Sequence, residues 1–460
     1  MIRPSSFRDP GGSVTVAADR VIRTVNREGL ANLSACLNSS AARRFVERGV
    51  LIETRPPAPD SAAADEVLVE HPRIPFASYP HEWPAAMLHR AAQLTLEICD
   101  ALLAEGRGLK DATPANILFH GTQPVFVDVL SFEDRDPLDP IWLADAQFAR
   151  TFLIPLLLYR RTGYPVHEIF LCHRDGIAPQ EALRRLPLLR RWLPPDLGLV
   201  TLAASASRLE SDRLYRPRQT RDAGEARFIL EHRFRTLSKK LDALRPLPAA
   251  SAWSDYEAAC PSYSDEQQTA KRQFVERALR EMKPSRVLDI GANTGEFSLI
   301  AAASGASVVS IDRDPESIAG LWRSASAARA DILPLVVDFA RPTPPAGWRG
   351  REQPGFLERA EGCFDCVLLL AVIHHLMVTD RIPLAEIFDA TADITSCWLL
   401  AEYVGAGDPM FRRLARGRDA LHRGYNRSVF EESARLRFNI VNSFDIPSSG
   451  RALYVLRKKP

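Results

Sequence analysis

The chain has 460 residues, with 59 lysines and arginines against 57 aspartates and glutamates, a formal net charge of +2. This balance argues against a protein built mainly to coat nucleic acid. Its 46% of apolar and 25% of charged residues exclude a mostly disordered or fibrous chain. No apolar run approaches the roughly 20 residues of a membrane-spanning helix, and no signal peptide is recognisable. The seven scattered cysteines suit free thiols. We therefore expect a cytoplasmic protein of two or three domains without a membrane partner.

Residues 1–212 combine strand-like and helical patterns and are assigned to an N-terminal helper domain of α+β type. The predicted elements are, in chain order, a strand-like stretch at 13–25, a helix at 85–104, a hairpin from the apolar runs 117–119 and 125–130, and a helical region at 141–202 broken by prolines.

A basic helical linker is predicted over residues 213–265. Its segment 213–245 holds ten lysines and arginines against four acidic residues. A solvated helix face is the simpler interpretation of such a segment. Contact with RNA or with an acidic substrate is the functional interpretation.

The region 266–460 alternates strand-like runs with helical patterns. The strand-like runs lie at 286–290, 307–311, 333–337, 366–370, 397–403, 438–444 and 451–456. Helical patterns separate the first five runs, and none separates the last two. This order predicts an α/β domain with a Rossmann-like, seven-stranded sheet that has helices on both faces and a terminal antiparallel hairpin.

The most informative motif is the stretch VLDIGANTGEFS at 287–298, which is typical of an apolar strand, a glycine turn and the start of a helix. Asp312 ends the next predicted strand, 23 residues after Asp289, the usual spacing for a carboxylate that binds ribose hydroxyls. Asp338 ends the strand after that. The glycines are spaced G-x-x-x-G, which differs from the dinucleotide pattern G-x-G-x-x-G.

With these motifs, the C-terminal region resembles class I S-adenosylmethionine-dependent methyltransferases. The resemblance implies that the glycine turn holds the methionine part of the cofactor. It also implies that Asp312 holds the ribose, that Asp338 approaches the adenine amino group, and that the fourth strand ends near the sulfonium. The implied cofactor-binding residues are Asp289, Gly291, Asn293, Gly295, Asp312, Asp338, Phe339 and Leu370.

Candidate catalytic residues follow the fourth and fifth strands. A sulfonium methyl group is already activated, so the protein has to position the acceptor and handle its proton. His374 and His375 directly follow the fourth strand, where an imidazole can serve as a base or can shape the pocket. Glu402 ends the fifth strand. Asp408 is predicted either to cap a helix or to contact substrate.

Beyond residue 408, Arg418, Arg423 and Tyr425 are candidates for the substrate wall. No metal site is predicted. The adjacent histidines point in different directions on a helix, and the C-x-x-C pair Cys363 and Cys366 has no second pair of ligands.

The N-terminal region contains a second candidate site. Asp111 and Asn116 have the spacing D-x-x-x-x-N of a kinase catalytic loop, and Asp128 falls where a magnesium-binding aspartate would lie. This segment resembles kinase-like and aminoglycoside-phosphotransferase-like folds. It departs from them because no glycine-rich loop is recognisable and Arg23 stands where a strand lysine is expected. A turn-forming segment in an unrelated helical domain is the competing interpretation.

Taken end to end, the chain resembles bacterial two-part methyltransferase proteins, including those described as nodulation-protein-like. The resemblance rests on the segments 74–83, 109–116, 124–133, 370–376 and 408–410. It implies a methyltransferase domain behind a conjoined helper domain and names no substrate. We expect S-adenosylmethionine-dependent methyl transfer to an oxygen or nitrogen atom, with a small molecule or natural-product intermediate as the first candidate acceptor. RNA, bound through the basic linker, and a peptide stay open as acceptors. A bifunctional protein with a phosphotransferase-like domain stays open as well, as does a non-catalytic scaffold.

Overall fold

The computed structural model describes residues 6–55, 66–206, 219–248 and 263–460. The chain forms two compact units. The first comprises Met1–Leu247 with Gly347–Gln353, and the second comprises Pro248–Ala346 with Pro354–Pro460. Across the described part of the chain, no helix has both the length and the apolar character needed to cross a bilayer.

The first unit has seven strands and nine α-helices among its described residues. The strands are β1 (Gly12–Val16), β2 (Arg20–Asn26), β3 (Glu66–Pro72), β4 (Arg107–Leu109), β5 (Ile117–His120), β6 (Gln123–Phe126) and β7 (Phe132–Asp134). The helices are α1 (Leu30–Leu37), α2 (Ser40–Glu47), α3 (Ala85–Leu103), α4 (Asp145–Phe148), α5 (Ile154–Thr162), α6 (Val166–Cys172), α7 (Pro179–Arg185), α8 (Leu202–Ala206) and α9 (Ala223–Ala243).

Three antiparallel strands in the order β1-β2-β3 open the first unit. The single strand-like stretch predicted at 13–25 is in fact a hairpin of β1 and β2, because the chain turns where the Ala17 N–H donates to the Arg20 carbonyl (2.9 Å). The hairpin predicted near residue 120 is confirmed as β5 and β6.

The helix α3 belongs to the core of the first unit. Its predicted bounds agree with the structure to one residue, and its apolar side chains, including Met87, Leu88 and Leu94, are fully buried. Helix α9, from the predicted linker, packs against it, buries Leu237 and Leu241 and leaves most of its charged side chains exposed. Within this unit, the basic face of α9 is therefore a solvated surface.

The second unit contains the predicted seven-stranded sheet. Its strands are β8 (Arg286–Ile290), β9 (Ser307–Asp312), β10 (Ile332–Val336), β11 (Phe364–Leu369), β12 (Thr395–Val404), β13 (Phe438–Ile446) and β14 (Arg451–Lys458). Its described helices are α10 (Asp265–Met282), α11 (Glu296–Ala303), α12 (Pro315–Ala328), α13 (Phe356–Ala360), α14 (Ile373–Val378), α15 (Leu384–Ile394), α16 (Pro409–Ala415) and α17 (Arg427–Arg437).

The strand order is β10-β9-β8-β11-β12-β14-β13. The first five strands in this order are parallel, and β14 runs antiparallel to both of its neighbours. The fold is therefore the predicted Rossmann-like α/β sheet with a terminal antiparallel hairpin. From β8 the chain continues to β9 and β10 on one side of β8 and then returns to the other side with β11. Ligands of such sheets bind at this switch point, beyond the carboxyl ends of the strands.

Candidate active site of the second unit

The glycine turn after β8 depends on two glycines with positive φ angles. Gly291 has φ +72° and Gly295 has φ +87°, and Gly295 is the residue that precedes α11. The Gly291 and Ala292 N–H groups both donate to the Ile311 carbonyl, at 2.8 and 3.0 Å. These bonds hold the turn against the end of β9.

Both glycines also allow close packing around the turn. A Cβ atom on Gly291 would lie 2.4 Å from Cγ2 of Val372, and one on Gly295 would lie 2.1 Å from Cδ1 of Leu321. Leu321 is fully buried. The turn therefore fits tightly between α12 and the residues that follow β11.

We expect Gly295→Ala to lower the free energy of unfolding by about 2–4 kcal/mol, because it combines left-handed strain with overpacking against Leu321. Gly305→Ala is the matched control, since Gly305 has φ +96° and no atom within 4 Å of its would-be Cβ. It should lose only the strain, about 1–2 kcal/mol. Urea unfolding measures the free energy of unfolding of both variants. Equal losses would show that overpacking against Leu321 does not contribute.

Asp312, at the end of β9, connects this turn to the start of α12. Its Oδ2 accepts from the Asn293 N–H and its Oδ1 accepts from the Asp314 N–H, both at 2.9 Å. Burial raises the pKa of Asp312, while the two backbone N–H donors lower it. The residue is half-buried rather than enclosed, so its carboxylate lies within reach of a ligand.

Asn293 completes the turn with φ +50°, and its Oδ1 accepts from the Ser317 hydroxyl at 3.1 Å. Asp314 caps α12 by accepting from the Glu316 and Ser317 N–H groups. The structure thus brings the predicted residues Asn293 and Asp312 together, on a frame of backbone hydrogen bonds.

Asp289 lies inside the unit, with 3% of its surface exposed. Its Oδ2 accepts from the Ser298 hydroxyl (2.6 Å), which in turn accepts from the Ser310 hydroxyl (2.8 Å). Burial raises the pKa of Asp289 to about 6, although the bond from Ser298 lowers it. This carboxyl group therefore lies between β8, α11 and β9.

We expect Asp289→Asn to become more stable relative to the wild type as the pH rises. The folded state of the wild type holds the Asp289 proton up to about pH 6, whereas an unfolded aspartate loses it near pH 4. The wild type therefore loses about 3 kcal/mol from this group between about pH 4 and pH 7. Urea unfolding at several pH values tests this, with exposed Asp331→Asn as the control. A pH-independent difference would contradict it.

Asp338 and Phe339 lie just beyond β10, which ends at Val336 rather than at the predicted Val337. The Asp338 carboxylate accepts from the Ala340 N–H (2.9 Å) and pairs with Arg341 (3.2 Å). Arg341 also pairs with Asp380 (3.1 Å). Asp338 is half-buried, at the same edge of the sheet as Asp312.

Leu370 follows β11 and leads through Ala371 into α14, which carries both candidate histidines. The His374 and His375 ring centroids are 4.3 Å apart. His374 is 1% exposed, and neither of its ring nitrogens has a hydrogen-bond partner among the described residues. Burial lowers the pKa of both, to about 4 for His375, with help from nearby cations. Both rings are therefore neutral near pH 7.

Glu402, at the end of β12, belongs to a buried network of charges. Arg451 contacts Glu402 Oε1 (3.2 Å) and forms a bidentate pair with Asp408 (2.7 and 3.1 Å). The Lys271 ammonium group lies 2.8 Å from Glu402 Oε2. Although burial would raise it, the pKa of Glu402 is lowered by Lys271 and Arg451. Two cations and two carboxylates thus balance in the interior.

Tyr263 joins this network as a neutral member. Its hydroxyl donates to Glu402 and accepts from Arg451 (2.6 Å) and Lys271 (3.2 Å). The cationic groups of Arg451 and Lys271 lie 4.5 and 4.7 Å from its ring centroid. Tyr263, Lys271 and Arg451 are not among the residues predicted from the sequence. The position of Lys271 in the apolar stripe of α10, with Phe274 and Val275, is a signal that could have revealed it.

Asp408 has two structural roles. Besides holding Arg451, it caps α16 by accepting from the Met410 and Phe411 N–H groups, which is one of the two roles that the sequence left open. Past α16, the ring of the predicted wall residue Tyr425 stacks on Phe411, with centroids 5.4 Å apart. The Tyr425 hydroxyl is buried and has no hydrogen-bond partner among the described residues.

In the candidate site of the first unit, Arg23 of β2 contacts the predicted residue Asp128 and its neighbour Val127. Arg23 pairs with Asp128 (3.3 Å) and donates to the Val127 carbonyl (3.2 Å). Burial raises the pKa of Asp128, while Arg23 lowers it. Asp111 accepts from the Gln147 amide at 3.4 Å, and the buried Asn116 Nδ2 has no partner among the described residues. No group of three or more His, Cys, Asp or Glu side chains in the described ranges has the arrangement of a metal site.

Comparison with known proteins agrees with this geometry. Residues 263–434 match the family model described as a methyltransferase domain. This range starts at Tyr263 and covers the sheet through β12, the glycine turn and the acids that follow the strands. The second unit therefore carries a methyltransferase domain.

The whole chain is 30% identical to the nodulation protein NoeA of Rhizobium meliloti (strain 1021) over 465 residues, which cover 98% of this chain and 95% of that protein. The chain belongs to the family of that protein.

Two solved structures are also similar. The N-methyltransferase NodS from Bradyrhizobium japonicum WM9, in complex with S-adenosyl-L-homocysteine, is 13% identical, with 43% of this chain and 95% of that chain covered and a TM-score of 0.32. The bifunctional kinase-methyltransferase WbdD is 19% identical, with 44% of this chain and 41% of that chain covered and a TM-score of 0.31.

Proposed function

We propose that the second unit is an S-adenosylmethionine-dependent methyltransferase that acts on an oxygen or nitrogen atom of a small-molecule acceptor. The observation that carries the proposal is the position of Asp312, at the switch point of the sheet and tied to the glycine turn through the Asn293 N–H. A carboxylate at this position is suited to bind ribose hydroxyls.

The residues at this edge fit such a cofactor. Each Asp312 oxygen accepts one backbone N–H, and a carboxylate has about four lone-pair sites, so it can accept two hydroxyl donors as well. Asp338, half-buried beyond the neighbouring strand, would contact the adenine amino group. Gly291, Asn293 and Gly295 would hold the methionine part. When bound, the cofactor supplies a methyl group activated by a sulfonium.

The two histidines of α14 would act on the acceptor. Both ring nitrogens of His374 lack partners among the described residues, and leaving such a group unsatisfied in the interior is unfavourable. A neutral imidazole can donate to the acceptor from one nitrogen and accept its proton at the other. Because burial lowers the pKa of both rings, to about 4 for His375, either ring would accept a proton only briefly.

Glu402 would position other residues rather than take up a proton. Its carboxylate is ionised and already contacts Tyr263, Arg451 and Lys271. These surroundings are those of a structural ion pair, and they favour a role in holding β12 and β14 together. Glu402 would therefore not take part in direct proton transfer.

Photochemical labelling tests the proposed function. We expect ultraviolet irradiation with tritiated S-adenosylmethionine to label the full chain within residues 263–434, and an excess of S-adenosylhomocysteine to abolish the label. Asp312→Ala should reduce the label strongly, and exposed Asp331→Ala should leave it unchanged. Label that excess S-adenosylhomocysteine does not compete would count against the proposal.

A phosphotransferase-like first unit is the second candidate. It is favoured by Asn116, whose Nδ2 has no partner among the described residues and whose carbonyl accepts from the Val127 N–H. Arg23 opposes it, because this cation already neutralises Asp128. This candidate requires that the full chain bind Mg-ATP and that Asp128→Asn abolish the binding. Binding that Asp128→Asn leaves unchanged would remove the candidate.

A further inference from the structure

A cavity of about 250 Å³ lies in the second unit between the end of α14 and the chain that follows α16. Its apolar lining includes Met377, Val378 and Leu421, and its cationic or titratable lining consists of Arg381, Arg418 and His422. No carboxylate from the described part of the chain contributes to the lining. The cavity lining therefore combines apolar side chains with positively charged ones.

The chain segment that supplies Arg418 and His422 to this lining is strongly basic. Five exposed arginines lie between the start of α16 and Tyr425, and Asp419 is the single acidic residue among them in the sequence. They are Arg412, Arg413, Arg416, Arg418 and Arg423. Neither Arg381 nor Arg418 pairs with a carboxylate among the described side chains, and Asp380, next to Arg381, pairs with Arg341 instead. The two guanidinium groups of the lining are thus available to an anion.

The cavity adjoins the proposed acceptor site. Met377 and Val378 lie on the same helix as His374, about one turn further on. Helix α16 packs against α14. The Phe411 ring of α16 contacts the ring of the lining residue His422, with centroids 5.6 Å apart. A molecule in the cavity would therefore lie beside the helix that carries the histidines.

We infer that this cavity binds the anionic end of the methyl acceptor, which has an apolar body and a carboxylate, sulfate or phosphate group. This inference rests on the proposed methyltransferase function of the same unit. Guanidinium groups form strong, directional hydrogen bonds to such oxygen anions. The volume lies below the usual range for a whole drug-sized ligand, so the cavity takes one part of the acceptor.

Two dyes with the same aromatic body test the inference. Anilinonaphthalene sulfonate carries an anionic group, and phenylnaphthylamine is its uncharged relative. We expect the full chain to bind the sulfonate more tightly and Arg418→Gln to weaken this binding about fivefold to tenfold, the effect of one charge-assisted contact at a partly exposed site. Binding of the uncharged dye should not change. Arg416→Gln, an exposed arginine outside the lining, is the matched control and should alter neither dye.

Calorimetry with S-adenosylhomocysteine on the same variants separates the two proposals. Arg418→Gln should bind S-adenosylhomocysteine like the wild type. Equal binding of both dyes, or sulfonate binding that neither Arg418→Gln nor Arg381→Gln weakens, would overturn the anion cavity. A wild type that binds the sulfonate as expected but never binds S-adenosylhomocysteine would overturn the methyltransferase function and leave the cavity supported as an anion site.

Discussion

Arg451→Met is expected to lower the free energy of unfolding by about 3–5 kcal/mol, the usual effect of removing one partner from a buried ion pair. The side chain of Arg451 is 1% exposed, and those of Glu402 and Asp408 are 0% and 4% exposed. Methionine fills a similar volume but leaves Asp408 with no cation and Glu402 with Lys271 alone. The loss is therefore electrostatic rather than a matter of packing.

Arg435→Met provides the matched control for this measurement. Arg435 pairs with Glu431 on the surface of α17, at 3.0 Å, and its side chain is 55% exposed. Exposed pairs of this kind contribute between about 0 and 1 kcal/mol. Urea unfolding of both variants at pH 7 gives the comparison. If Arg451→Met lost no more stability than Arg435→Met, the buried network would not support the fold.

The pH dependence of the wild type gives this network a further signature. The pKa of Glu402 is lowered in the folded state, so its contribution is fully present above the ordinary pKa of glutamate, about 4.3. That contribution is lost as the pH falls through the lowered value. Arg451→Met should weaken this acid-side loss, because one of the two cations that hold the carboxylate ionised is gone.

Asp312→Ala is expected to weaken the binding of S-adenosylhomocysteine by roughly 30- to 150-fold. This corresponds to about 2–3 kcal/mol, the range for hydrogen bonds to a charged group. The substitution removes the acceptor for ribose hydroxyls and also frees the Asn293 and Asp314 N–H groups, which loosens the glycine turn. Affinity and stability should therefore both decrease.

Asp331→Ala is the control for this prediction, because Asp331 is exposed at the opposite end of the neighbouring strand. It should bind S-adenosylhomocysteine like the wild type. Calorimetric titration measures both affinities, and urea unfolding shows that each variant is folded at the temperature used. An Asp312→Ala variant that is folded and binds with unchanged affinity would remove the ribose assignment.

Much of the second unit could be predicted from the sequence because of its architecture. Parallel strands covered on both faces have continuous apolar runs, as in β10 and the second half of β11, and helices separate them. The strand bounds agree with the predictions to within about two residues. The carboxyl ends of such strands meet at one edge, which is why the strand pattern alone could place Asp312 and Asp338 together.

The buried network could not be predicted in the same way. Arg451 and Glu402 are 49 residues apart in the chain, and Tyr263 and Glu402 are 139 apart. Their pairing depends on how β12 and β14 align, which no local pattern states. The sequence also gives no measure of side-chain burial, so the interior positions of Asp289 and His374 follow only from the packing.

The second unit is expected to bind S-adenosylmethionine at the edge formed by the glycine turn and Asp312. Calorimetric titration of the wild-type full chain with S-adenosylhomocysteine, and separately with Mg-ATP, tests this binding. We predict micromolar binding of S-adenosylhomocysteine at one site, unaffected by Mg-ATP. If a folded chain did not bind S-adenosylhomocysteine up to millimolar concentration, this cofactor site would be wrong.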